Sequence, residues 1–134
     1  LITYYNKKKT DVDLGKYLKK IVNKLKDIFD MKDLAFGSNK YMGAINIKDI
    51  MRRIDIKMVS YDRWFFSLLY FTGSQTLNIE MRRRAQDMNL KLNEYGLFKN
   101  DKRVPLDIKS EKDIFEYLKL KYQDPTNRAK LIAQ

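Results

Sequence analysis

One carboxylate stands between cations in Arg52-Arg53-Ile54-Asp55-Ile56-Lys57-Met58-Val59. Alternation places Ile54, Ile56 and Met58 on one face and Arg53, Asp55 and Lys57 on the other, the pattern of a half-buried strand. Hard cations take oxygen ligands, so a displayed carboxylate is a side chain of the type they bind. The same side chains also read as an ordinary surface ion pair, which is common and weak. A second stretch follows closely. The aromatic run Tyr61 to Tyr70 ends in Phe71-Thr72-Gly73-Ser74, and Ser74 is placed to cap a helix with Asn78 and Arg82 one turn apart on its exposed side. Other chemistries lack their parts. The chain has no Cys and no His, which leaves out a disulfide framework, a thiolate or imidazole metal site and an imidazole base.

The order RRIDI, YFTGS, Asn78 with Arg82, Asn93-Glu94-Tyr95 and SEKDIFEYLKLKY resembles the C-terminal half of a family X DNA polymerase of the polymerase beta type, closely from about Lys40 to Arg128. Several motifs in one order make the resemblance specific where each alone would be weak. It implies an α+β fold, with a partial nucleotidyltransferase palm (mixed sheet with helices) over residues 1–61 and a small helical and hairpin thumb that selects the nucleotide over residues 62–134. It also implies templated addition of deoxynucleotides to a primer 3′-OH in short-gap repair, with two magnesium ions stabilising the attacking and leaving oxygens.

By this resemblance Asp55 is the third metal carboxylate and Arg53 supports it, both being catalytic. Arg53 shares its strand face, where it can hold Asp55 ionised and reach a primer phosphate. Tyr70, Phe71, Gly73, Ser74 and Asn78 correspond to the nucleotide pocket, in which the Gly-Ser peptide is cis. Asn78 would read the minor-groove edge of the incoming base. Arg82 would lie on the template side, and Lys40 and Tyr95 would also contact DNA. Lys57, Glu94 and Tyr95 correspond to a closing switch. Three positions depart from the family pattern. Lys57 stands for an Arg and lacks its bidentate fork, Gln75 stands for an acidic residue, and Ile79 stands for a basic residue that stacks over the template base. Nothing matches the lyase domain of larger relatives.

The elements that must position these residues follow from periodicity. Leu1 to Tyr5 reads as the end of a strand, and Thr10 with Asp13 resembles a capping box. A helix follows with Leu14, Tyr17, Leu18, Ile21, Val22, Leu25, Ile28 and Phe29 on one face and Lys16, Lys19, Lys20, Lys24 and Lys26 on the other. Asp11-Val12-Asp13 has the letters of the family's metal-binding pair but opens this helix, where carboxylates favour the positive end of the dipole. The resemblance instead places the family pair immediately before Leu1, so the chain alone is expected to be inactive. Strands run over Asp33 to Val59, broken by a turn at Gly37-Ser38-Asn39. A short buried helix over Tyr61 to Tyr70 is expected, with Ser60 as cap and Trp64, Phe65, Leu68 and Leu69 in the core. The next helix, about Gln75 to Met88, buries Leu77, Met81, Ala85 and Met88. Lys91 to Leu106 reads as a hairpin turning near Asn100-Asp101, with Pro105 on an edge strand. Ser110 with Asp113 is a capping box, opening a helix that buries Ile114, Phe115, Leu118 and Tyr122 and stops at Asp124-Pro125. The tail from Thr126 reads as loosely held.

Across 134 residues the chain carries 28 Lys plus Arg against 17 Asp plus Glu, a formal net charge of +11. That excess suits a polyanion, and gapped or primed DNA is the expected partner beside a deoxynucleoside triphosphate. No apolar run is long enough to span a bilayer and there is no signal peptide, so no membrane partner is expected; a monomer acting inside the cell, in the nucleus or at a viral replication site, is the accompanying expectation. The Lys-, Asn- and Ile-rich composition fits an AT-rich genome. A start at Leu1 rather than Met fits a fragment or processed product. Two rival readings stay open, a non-catalytic basic DNA-binding module and a template-independent terminal transferase of the same fold.

Overall fold

The computed structural model describes residues 14–128. The expected strand at Leu1 to Tyr5 and the carboxylates Asp11 and Asp13 lie outside the described residues. The chain divides into two compact units, Leu1–Tyr61 and Asp62–Gln134. Among the described residues there are four α-helices and two three-stranded antiparallel sheets, an α+β fold.

In the first unit helix α1 (Leu14–Ile28) precedes strands β1 (Met31–Phe36), β2 (Lys40–Ile47) and β3 (Ile50–Lys57), ordered β1-β2-β3. Leu18 and Val22 of α1 and Tyr41 of β2 are fully buried, and Met31, Ile54 and Ile56 pack against them. Ile28 departs from the expected apolar face and is 73% exposed. It is the last residue of α1, where the chain leaves the helix for β1. The β2–β3 turn has only two residues, Lys48 and Asp49, both at positive φ. Such a loop matches the twist of the flanking strands and fixes register. Ile47 therefore pairs with Ile50, Met42 with Asp55 and Lys40 with Lys57.

Tyr41 lies along its own strand over Gly43. A Cβ on Gly43 would come within 2.7 Å of three atoms of the Tyr41 ring and hydroxyl, so only glycine leaves room for this ring. The Tyr41 hydroxyl donates to Asp33 Oδ1 at 2.8 Å, and Lys26 Nζ donates to Asp33 Oδ2 at 2.8 Å. Lys26 first, then Tyr41, holds the Asp33 carboxyl below its ordinary range. Burial first, then the Asp33 bond, pushes the Tyr41 phenol up to about 12. A folded-state value raised above the unfolded one means that the folded chain keeps a proton that the unfolded chain gives up. Stability from Tyr41 is therefore intact below pH about 10 and lost as pH rises from about 10 toward about 12. Tyr41→Phe is expected to flatten that alkaline loss, as read by denaturant unfolding across the range.

After a 3-10 turn (Tyr61–Arg63) at the boundary, the second unit has helices α2 (Trp64–Thr72) and α3 (Gln75–Asp87), strands β4 (Lys91–Asn93), β5 (Gly96–Lys99) and β6 (Lys102–Arg103), and helix α4 (Glu111–Tyr117). Its core joins Phe66 and Leu69 of α2, Leu77, Met81 and Ala85 of α3, Leu97 of β5, and Ile114 and Phe115 of α4. Several expectations change here. Ser60 does not cap α2. Its N-cap is Arg63, with no side-chain cap bond. Phe66 rather than Phe65 is buried, and Trp64 and Leu68 are only half-buried, because a helix apolar on every side gives no period from which to choose a face. The expected hairpin is a three-stranded meander. Glu94 and Tyr95 form the β4–β5 turn instead of extending a strand, and Pro105 falls beyond β6. The turn at Asn100-Asp101 forms as expected, with both residues at positive φ. Helix α4 stops at Tyr117 and its C-cap Leu118, not at Asp124-Pro125, and Lys119 turns the chain at φ 56°. The capping contact holds, with the Ser110 N–H donating to Asp113 Oδ2 at 3.2 Å. Tyr122 is 37% exposed, although its ring meets Phe115 edge to face.

Candidate functional site

The expected site residues fall into one group in the first unit and two in the second. In the first, β3 carries Arg53, Asp55 and Lys57 on the sheet face opposite Ile54 and Ile56, and β2 adds Lys40 directly across from Lys57. Arg53 Nε donates to Asp55 Oδ1 at 3.1 Å, with the side chains 52% and 47% exposed. The pair is thus open to solvent and to ligands, and its value to stability is small at such exposure. Asp55 is a suitable oxygen donor for a hard cation, but among the described residues no group of three or more acidic, His or Cys side chains could hold a metal ion. A metal centre is not complete within residues 14–128.

In the second unit the turn between α2 and α3 brings Tyr70, Phe71, Gly73, Ser74, Asn78 and Arg82 together. The Gly73–Ser74 peptide is cis. Gly73 has φ 71° and ψ −156°, a conformation open essentially to glycine alone. Ser74 caps α3, its Oγ accepting the Leu77 N–H at 3.3 Å and donating to the Arg128 carbonyl at 3.0 Å. Asn78 Nδ2 donates to the Tyr70 carbonyl at 2.9 Å, which spends one amide N–H on orientation. The Arg82 guanidinium lies 5.2 Å from the Tyr70 ring centroid, a cation–π distance. Phe71 is 52% exposed beside it, edge-on to Tyr70 at 5.0 Å. A small cavity opens at Tyr70, Asn78 and Arg82, lined also by Phe66, Met81 and Asn93.

The Glu94–Tyr95 turn is held to the rest of its unit by residues the periodicity did not single out. Ser67 Oγ donates to the Glu94 carbonyl at 2.8 Å. Arg103 Nε donates to the Tyr95 carbonyl at 3.2 Å, while its other nitrogens reach Asp62. Arg63 lies 5.6 Å from the Tyr95 ring centroid. A polar Ser67 inside an otherwise apolar helix was the one available signal, since a buried hydroxyl needs a partner. The tail also departs from expectation. Arg128 is 1% exposed and forks onto Glu111, Nη2 to Oε2 at 2.9 Å and Nη1 to Oε1 at 3.3 Å.

Comparison with known proteins follows the same groups. Residues 67–129 match the DNA polymerase beta thumb family. A Repair DNA polymerase X of African swine fever virus (isolate Tick/South Africa/Pretoriuskop Pr4/1996) is 32% identical over 115 residues, covering 82% of this chain and 66% of the relative. The DNA nucleotidylexotransferase of Eulemur macaco is 38% identical over 77 residues, 57% of this chain and 15% of the relative. That of Monodelphis domestica is 35% identical over the same length. The chain thus spans slightly less than two thirds of the viral relatives and a small part of the transferases. No helix among the described residues is long and apolar enough to cross a membrane. A matched stretch of 115 residues is longer than either unit, so the similarity runs through the Asp55 strand as well as the thumb, and the chain belongs to the family X DNA polymerases.

Proposed function

We infer that this chain is the C-terminal palm and thumb portion of a gap-filling repair DNA polymerase, with residues 1–61 in the palm and 62–134 as the nucleotide-selecting thumb. The observation that carries this reading is the α2–α3 turn. It gathers an aromatic pair, a glycine of unusual conformation, and Asn78 and Arg82 one turn apart on one helix, within a chain similar to Repair DNA polymerase X over 115 residues.

Each residue then has a physical task. Asp55 would supply one oxygen ligand to a divalent cation, and such a cation would supply charge stabilisation at an attacking oxygen. Arg53 orients that carboxylate through Nε and offers its remaining N–H groups to a primer phosphate. Lys40 serves a template phosphate. Tyr70 and Phe71 pack on the sugar of the incoming triphosphate, and Gly73 and Ser74 let backbone approach the ribose because no Cβ stands at Gly73. Asn78 keeps an amide N–H for the minor-groove acceptors N3 and O2, which every base pair presents. A donor there tests pair shape without reading sequence, and Arg82 does the same from the template side. Lys57, Glu94 and Tyr95 are the residues proposed for the closing switch. The partners are gapped DNA and deoxynucleoside triphosphates, at a viral or nuclear replication site, with the protein acting as a monomer.

The test is single-nucleotide gap filling by the polymerase of which this chain is part. Complementary nucleotide is expected to be added in magnesium. Asn78→Ala is expected to raise the nucleotide KM about five- to tenfold, the value of one hydrogen bond, with kcat little changed. An unaltered KM would remove Asn78 from the pocket. The similarity to DNA nucleotidylexotransferases supports a second reading, template-independent addition. Equal incorporation on a single-stranded primer would favour it.

A further inference from the structure

Among the described residues Arg128 is the one charged side chain that is fully buried, and its contacts exceed what burial requires. Beyond the fork onto Glu111, its Nε donates to the Gln123 carbonyl at 3.1 Å, and the guanidinium lies 5.6 Å from the Phe115 ring centroid. All three nitrogens are thereby used and the side chain has one orientation. The same residue's carbonyl oxygen accepts the Ser74 hydroxyl at 3.0 Å. Ser74 Oγ in turn takes the Leu77 N–H, and its own carbonyl accepts the Asn78 N–H at 3.0 Å. A continuous set of bonds therefore runs from Glu111, the first residue of α4, through Arg128 to Ser74 and the first turn of α3.

We propose that Arg128 is a positioning residue for the nucleotide-binding turn, acting through its carbonyl on Ser74 and hence on Gly73 and Asn78. This rests on reading that turn as the nucleotide pocket. The physical case is directional. A buried ion pair adds little net stability over an apolar pair of similar volume, because desolvation offsets the attraction. A bidentate fork does fix an angle, and here it fixes the chain at residue 128, so that the carbonyl points at Ser74. Ser74 is then held in one rotamer, able both to cap α3 and to keep the Gly73–Ser74 backbone in place. The Glu111–Arg128 pair contributes to nucleotide affinity without touching nucleotide.

The test separates positioning from stability. In the double variant E111L/R128M the charges are replaced by apolar groups of similar size, which retains the packing and removes the fork. The thermal midpoint is expected to stay near that of the parent, while the deoxynucleotide KM in gap filling rises about fivefold and kcat stays within about twofold, the signature of lost ground-state binding. In the 134-residue chain the Leu77 N–H is expected to exchange with solvent faster in the same variant. R128K, which keeps the charge but not the fork, is expected to fall between. E111Q, isosteric and neutral, is expected to raise KM about two- to threefold without loss of fold. A KM that returns to the parent value together with stability in E111L/R128M, or an unchanged KM in a folded E111Q, would make Arg128 a packing residue only and overturn the proposal. If the parent polymerase incorporates nothing, the functional reading fails, and Leu77 exchange alone decides the positioning. Faster exchange in E111L/R128M then supports it, and unchanged exchange overturns it.

Discussion

Asp55→Asn is expected to abolish nucleotide incorporation by the polymerase of which this chain is part, lowering kcat by about 1000-fold or more, while duplex DNA binding changes less than about twofold. The first figure follows from the several kcal/mol of charge stabilisation that a bound cation contributes in such a reaction, each tenfold in rate being about 1.4 kcal/mol. Asn offers one neutral oxygen where Asp offers two charged ones, and hard cations discriminate strongly against that change. The second figure follows from charge. Binding to the duplex rests on Lys and Arg contacts to phosphate and on their release of counterions, and the chain keeps its large cationic excess. The fold should also survive, because Asp55 is nearly half exposed and its bond to Arg53 is a surface pair. Parallel measurements of gap filling and of duplex binding at one salt concentration decide the matter. A variant with full activity would remove Asp55 from the metal site, and one that lost DNA binding in proportion would make it a binding residue instead.

Arg128→Ala is expected to destabilise the second unit by about 3–5 kcal/mol, since removing one partner leaves a buried carboxylate without its counter-charge. For a domain of this size each kcal/mol moves the midpoint by about 4–8 °C, so a fall of roughly 12 °C or more is expected. Glu111 is only 11% exposed and is poorly placed to recover hydration. The Arg128 stem also leaves a void beside Phe115, over which it stacks. Thermal unfolding followed by circular dichroism reads this directly. A fall of only a degree or two would mean that Glu111 turns out into solvent at little cost, and that the pair does not hold the fold.

The candidate site was far more legible in the sequence than the contacts that support it. Ile54, Ile56 and Asp55 announce their faces through a period of two, and β3 presents them that way. Ser74 and Asp113 announce helix starts because capping is local, spanning three residues. The buried stripe Leu77, Met81 and Ala85 follows a period that α3 keeps. The failures share a different character. The nine apolar-rich residues of α2 offered no stripe from which to choose Phe66 over Phe65. Glu94 and Tyr95 look like the continuation of a strand, and only the pairing of Asn93 with Gly96 makes them a turn.

Sequence alone pointed to the family, named Asp55, Gly73, Asn78 and Arg82 as candidate site residues, and set the local elements that carry them, because residue type and short spacing encode both ligand chemistry and local backbone preference. Tertiary structure alone decided what holds them still: Tyr41 over Gly43 beneath the sheet, Ser67 and Arg103 on the Glu94–Tyr95 turn, and Arg128 buried against Glu111 with its carbonyl on Ser74. Ser74 and Arg128 are 54 residues apart, and nothing in the spacing of charges along a polar tail distinguishes an arginine left in water from one that finds a carboxylate when the chain closes on itself.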